Sequence, residues 1–277
     1  MARALTAQEQ QSARQTWPRL NVGAVIVTDE ATNRYNCLSW TLGITSSWVW
    51  PWGSRNATKA EFDVLYKGYG FQPKPNGEVS AFGLNLNSMT HGSISGPGHG
   101  PRWESKCGAW LRIQHGLNEL EGGTLYGDVR GFYSRSRGLL AAAGSELMRT
   151  EDMKVDNSEL EAIRRKISSI PQDLRDRFTI AYNAWKETWQ HPLILSSSNP
   201  VDRTLSTQFL DLISLGPGII PLLIERLATS DEFFALQAVD RLAPSTHVVT
   251  FDLDDPSVLQ GEQARAAATV RRWLALN

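Results

Sequence analysis

The feature that most constrains this chain is a change of hydrophobic period near residue 137. Before it, short runs alternate apolar and polar residues between Gly, Pro and Asn, as half-buried strands do. Such runs are VSAFGLNL (79–86), SMTHGSI (88–94), RWESKCG (102–108) and YGDVRGFYSR (126–135). After it the period is helical, through RGLLAAAGSELMR, SELEAIRRKISSI, DLRDRFTIAYNAWKETW, STQFLDLISLG, GIIPLLIERLA, EFFALQAVDRLA and GEQARAAATVRRWLAL. At 277 residues the chain is long enough for both patterns to have their own core. We therefore expect two domains: a mixed one over 1–140 and an all-helical one over 141–277.

Within the first part, residues 6–17 read as a helix and GAVIVTD (23–29) as an extended segment. NCLSWTLG (36–43) reads as a short helix, with Asn36 as its cap and Gly43 at its end. SSWVWPWGSRN (46–56) is an aromatic loop, and Thr58 with Glu61 forms the capping box of an amphipathic helix. QPKPNGE is a turn, and WLRIQHGLNEL (110–120) reads as a further helix. Helices followed by three to four antiparallel strands make an α+β order. In the second part, GPGIIPLLIERL and FFALQAVDRL resemble HEAT-type helix pairs, and a compact bundle fits equally well.

Composition excludes several functions. A net charge of -1 offers no field for nucleic acid or an anionic membrane. No apolar run approaches the ~20 residues of a membrane span, and MARALTAQEQQSARQ has no apolar signal core. A cytoplasmic protein is expected, with signal-independent export as the alternative. Two cysteines, Cys37 and Cys107, make neither a disulfide framework nor a Cys-rich zinc site. GPGHGP lacks a P-loop lysine, and Asp252, Asp254 and Asp255 lack the rest of an EF-hand loop. No metal and no cofactor are expected.

Cys37 stands at the first turn of its helix, where free N–H groups favour thiolate and can bind an oxyanion. The alternative is a small buried apolar residue. His91, on a following strand, is the candidate base; His99 in the glycine turn is its rival, and His115 reads as structural or solvent-facing. The next strand offers Glu104 and Ser105 to orient His91. Alternation puts them on opposite faces, and charge favours Glu104. Six of the ten Trp residues fall between 40 and 110; they either pack a small domain or wall a cleft.

Cysteine on a helix followed by histidine on an antiparallel sheet is the chain order of papain-like and NlpC/P60-like hydrolases. NCLSWTLG, the following WVWPW, TKAEFDVLYKGYGFQP, THG, RWESKCG and YGDV resemble an uncharacterised bacterial and fungal family. That family shows N-C-x-x-W-A-L-G, T-H and W-x-S-K-x-G motifs and a similar helical half. The resemblance implies a papain-like N-terminal domain in which Cys37, His91 and Glu104–Ser105 form one site. The function expected is a cysteine hydrolase (peptidase, amidase or deamidase) acting on an amide or isopeptide bond of a protein or peptide, with an effector or toxin role conceivable. Asn36, Trp40, Trp48, Trp50 and Trp52 would line its cleft. The alternative is a non-catalytic module that binds a protein partner through the helical half. A redox role for Cys37 fares worse, because no resolving cysteine stands near it in sequence.

Overall fold

Asn36, Thr6 and Thr58 start helices as their side chains dictate in the computed structural model, which describes residues 2–96, 100–136, 154–245, 248–250 and 260–277. Helix α1 (Ala7–Thr16) and helix α3 (Lys59–Gly68) each open with a complete capping box, Thr6 with Glu9 and Thr58 with Glu61. Between them, the short α2 (Cys37–Thr41) is capped by Asn36, whose Oδ1 accepts from the Ser39 N–H at 3.0 Å. Gly43 follows with φ +82°, which a side chain would strain.

Seven strands form one antiparallel sheet: β1 (Ile26–Asp29), β2 (Phe71–Pro73), β3 (Val79–Asn85), β4 (Ser88–Gly96), β5 (Gly100–Lys106), β6 (Arg112–His115) and β7 (Asp128–Arg135). Their spatial order is β1-β6-β5-β4-β3-β7-β2. Two sequence expectations are corrected here. Residues 112–115 form a strand, not part of a helix, because Arg112 and Gln114 are half-buried while Ile113 and His115 are buried, a period of two. Phe71–Pro73, read as leading into a turn, forms an edge strand on β7.

Contacts divide the chain into two compact units. One comprises Met1–Trp48, Arg55–Leu147 and Leu195–Asn199; the other comprises Val49–Ser54, Met148–Ile194 and Pro200–Asn277. A single cut near residue 140 therefore does not describe the division, since two short segments cross it. The predicted helix at 137–149 and the expected boundary after residue 140 lie outside the described residues.

The first unit holds the sheet. On it, α1 and the segment after it close a core of Trp17, Val25, Val27, Phe82, Trp110, Ile113 and Tyr126. Helix α3 lays Phe62 and Tyr66 on the sheet, where the Tyr66 and Tyr133 rings stack at 4.3 Å. The second unit holds helices α4 (Asn157–Ile167), α5 (Gln172–Thr188), α7 (Thr207–Ser214), α8 (Ile220–Leu227), α9 (Leu236–Leu242) and α10 (Gly261–Leu276). A short α6 (Pro192–Ser196) precedes α7. Trp185, Trp189, Phe209 and Phe234 form its aromatic centre. Among the described residues, no single helix is long and apolar enough to cross a membrane.

Candidate functional site

Strand β4 presents a different chemistry on each face. A side chain at Gly92 would come within 2.8 Å of the Tyr66 hydroxyl, so α2 and α3 can lie close only because this residue is glycine. Its neighbours His91 and Ser93 point to the opposite face by alternation, and the His91 ring stacks on Tyr126 at 3.8 Å. The registered pairs between β4 and β5 are Ile94↔Glu104 and Gly96↔Gly100; none involves His91, Gly92 or Ser93. Gly92 is registered with Ala81 on β3, and its N–H hydrogen-bonds the Cys37 thiol.

Ser105 lies at the centre of a buried polar cluster. His91 Nε2 stands 3.0 Å from Ser105 Oγ, His115 Nε2 2.8 Å from it, and Ser93 Oγ 2.5 Å from it. All four side chains are fully buried. The direction of each bond follows from one contact. His115 Nδ1 faces the Gly116 carbonyl at 2.7 Å, so this nitrogen donates. In a neutral ring Nε2 is then an acceptor, and it takes the Ser105 proton. Ser105 Oγ, its proton spent, accepts from Ser93 O–H and from His91 Nε2–H. The His91 tautomer is thus set: Nε2 carries the proton, and Nδ1 presents a lone pair. That Nδ1 is buried and has no hydrogen-bond partner. Burial holds both imidazoles neutral, pushing His115 down to about 4 and His91 well below its ordinary value.

Ser105 is therefore the residue that orients His91. Glu104, which its charge favoured, faces away; it accepts from Thr28 and pairs with Arg112 at 3.1 Å. Arg112 in turn lies over the Trp40 ring at 4.0 Å. Of the two readings of His115, structural or solvent-facing, its full burial removes the second. It followed from the helical reading of 110–120, whereas the alternation Leu111, Ile113, His115 was the signal that could have found it. His99 lies outside the described residues.

Cys37 is fully buried, and its Sγ sits 3.1 Å from Ser198 Oγ. No hydrogen bond joins it to His91. Burial pushes the thiol up to about 11, against the pull of the Ser198 hydroxyl and of the Gly92, Leu38 and Cys37 N–H groups. Asn36 is fully buried and serves α2, accepting from both the N–H and the hydroxyl of Ser39. Asn36→Ala should lower stability by about 1 kcal/mol, the usual worth of an N-cap; urea unfolding would show it. Trp48 is buried and donates to the Ser198 carbonyl at 2.9 Å. Trp50 and Trp52 belong to the other unit, where they are buried and meet edge to face at 5.3 Å.

Lys106 explains the residue after Ser105. Its buried Nζ donates to the carbonyls of Thr32, Gly108 and Trp110, at 2.9, 2.6 and 2.5 Å. Burial depresses its pKa to about 7, while three carbonyls on three N–H donors favour the ammonium. Gly108 has φ +53°, and a Cβ there would fall 2.5–2.7 Å from the backbone of Leu195, Ser196 and Ser197. Among the described residues, no group of three or more His, Cys, Asp or Glu could hold a metal ion.

Residues 26–134 match the family described as Domain of unknown function (DUF7689). This span contains Cys37, His91, Ser105 and His115 and excludes the helical half and Ser198. Neither the curated proteins nor the solved structures contain a match.

Proposed function

We propose that the chain is a cysteine hydrolase of amide or isopeptide bonds, built on a papain-like N-terminal domain and held here with its thiol covered. The observation that carries this reading is the hydrogen-bond direction through Ser105. It leaves the lone pair of His91 Nδ1 vacant on one face of β4, while the next residue, Gly92, gives its N–H to Cys37 Sγ. A base with a fixed tautomer and an unused lone pair is what nucleophilic catalysis asks of a histidine.

Once water or substrate reaches the site, the thiol proton passes to His91 Nδ1 and the sulfur attacks the carbonyl carbon. The carbonyl electrons move to oxygen, facing the N–H groups at the start of α2. Collapse of the adduct breaks the C–N bond, and His91 returns the proton to the leaving nitrogen. Water then hydrolyses the thioester; its proton passes to His91 Nδ1 and on to the departing sulfur. Ser105 and His115 position His91 and touch no substrate. Cys37 and Cys107 are both free thiols, in keeping with the cytoplasmic location expected from the sequence.

A second reading rests on the full burial of Cys37 and its raised pKa: an inert thiol in a module that binds partners through its helical half. Alkylation by iodoacetamide across pH decides between them, in a Cys107→Ser background. Opening of the site scales the rate equally at every pH, so the midpoint reports the uncovered thiol. Opening also hydrates His91 and lifts the burial that keeps it neutral, so its imidazolium then favours the thiolate and we expect a midpoint below the ~8.5 of free cysteine. His91→Gln, which retains a donor for Ser105, should raise it by about one unit. A midpoint indifferent to His91→Gln ends the hydrolase reading and leaves the binding module.

A further inference from the structure

The segment that covers Cys37, the last two residues of α6 and the three that follow, is held largely through its main chain. Leu195–Asn199 belongs to the unit that contains Cys37, though Ser198 and Cys37 are 161 residues apart in sequence. Three of its main-chain carbonyls are bound: Leu195 by the Ala109 N–H at 2.8 Å, Ser196 by the Tyr126 hydroxyl at 2.8 Å, and Ser198 by the Trp48 indole at 2.9 Å. These contacts read backbone and are indifferent to sequence. Side chains are read by size. Leu195 packs against the core that contains Tyr126, and the backbone of residues 195–197 passes so close to Gly108 that no Cβ fits between them. Ser196, Ser197 and Ser198 are all small and all buried. The last of them puts its hydroxyl on the Cys37 sulfur. The far end is tied by Asn199 Nδ2 to Asn56 Oδ1 at 2.9 Å.

We propose that Leu195–Asn199 occupies the groove through which a substrate reaches Cys37. The substrate class is then a polypeptide segment with a leucine-like anchor followed by small residues, and the chain's own segment keeps the groove closed until displaced. The inference rests on the hydrolase reading for its word substrate; the groove and its occupant stand on the contacts above.

The unmodified chain supplies the test, because both its cysteines are fully buried and Ser198 of the segment puts its hydroxyl on the Cys37 sulfur. Thiol labelling is followed in rising urea below the unfolding transition, with each cysteine resolved by peptide mapping. If the segment opens by itself, Cys37 labels at least tenfold faster than Cys107, and its rate changes little with urea. Local opening exposes little surface, whereas global unfolding exposes much. Adding the capped peptide Leu-Ser-Ser-Ser-Asn at millimolar concentration should then slow Cys37 labelling severalfold, and a capped Leu-Trp-Trp-Trp-Asn peptide should not. Equal rates with the same steep urea dependence overturn the displaceable cover, and local opening without competition by the small-residue peptide overturns the groove. Neither outcome depends on His91. A groove that passes this test while the alkylation midpoint ignores His91→Gln binds peptide without cleaving it.

Discussion

Ser105→Ala should lower the free energy of unfolding by about 3–5 kcal/mol, several times the effect of Ser93→Ala. Each buried hydrogen-bonding group left without a partner costs about 1–3 kcal/mol. Removing the Ser105 hydroxyl leaves three of them: His91 Nε2–H and Ser93 O–H without an acceptor, and His115 Nε2 without a donor. Ser93→Ala deletes one donor into an oxygen that still receives His91, so about 1 kcal/mol is expected. Urea unfolding of the two variants, with unchanged dependence on denaturant, makes the comparison. Equal losses would mean that Ser105 is not the centre of the cluster, and the tautomer assigned to His91 would fall with it.

Acidification from pH 6.5 to about 4 should destabilise the chain by about 3 kcal/mol through His115 alone, with His91 adding to it. Both imidazoles are fully buried, and burial is the first cause of their depression, to about 4 for His115 and well below 6.5 for His91. The unfolded chain protonates them near 6.5. Between these limits only the unfolded state takes up the protons, so stability is full above pH 6.5 and declines as pH falls through the folded value. Glu9 and Glu61 sit at about 2 when folded, so the loss they bring is complete only at lower pH. The check is a proton NMR titration of the five histidines. Two of them should stay neutral down to about pH 5; five ordinary titrations near 6.5 would contradict the buried cluster.

What the sequence made legible was local. Asn36, Thr58 and Glu61 mark their helices because a cap acts within three residues, and alternation marks β3, β4 and β5 because a strand face repeats every second residue. WLRIQHGLNEL satisfied two periods at once. Trp110, Ile113, Leu117 and Leu120 fit a helix, while Leu111, Ile113 and His115 fit a strand, and the sheet decided for the strand. His115 was lost to the site with that misreading. Alternation reduced Glu104 and Ser105 to one, but charge pointed to the wrong one, because Arg112 on the adjacent strand claims the carboxylate. Ser198 had no signal at all. A contact across 161 residues is set by where the chain returns, which no local pattern records.

That separation also has a consequence in time. Cys37 and the strands around it leave the ribosome well before Leu195–Asn199 does. At roughly 5–20 residues per second, the delay is about 8–30 s. For that interval the thiol has its groove and its neighbouring imidazole residue but no cover. A newly made chain therefore passes through a stage in which Cys37 is open to any electrophile or peptide at hand, until Leu195–Asn199 emerges and can close over the sulfur.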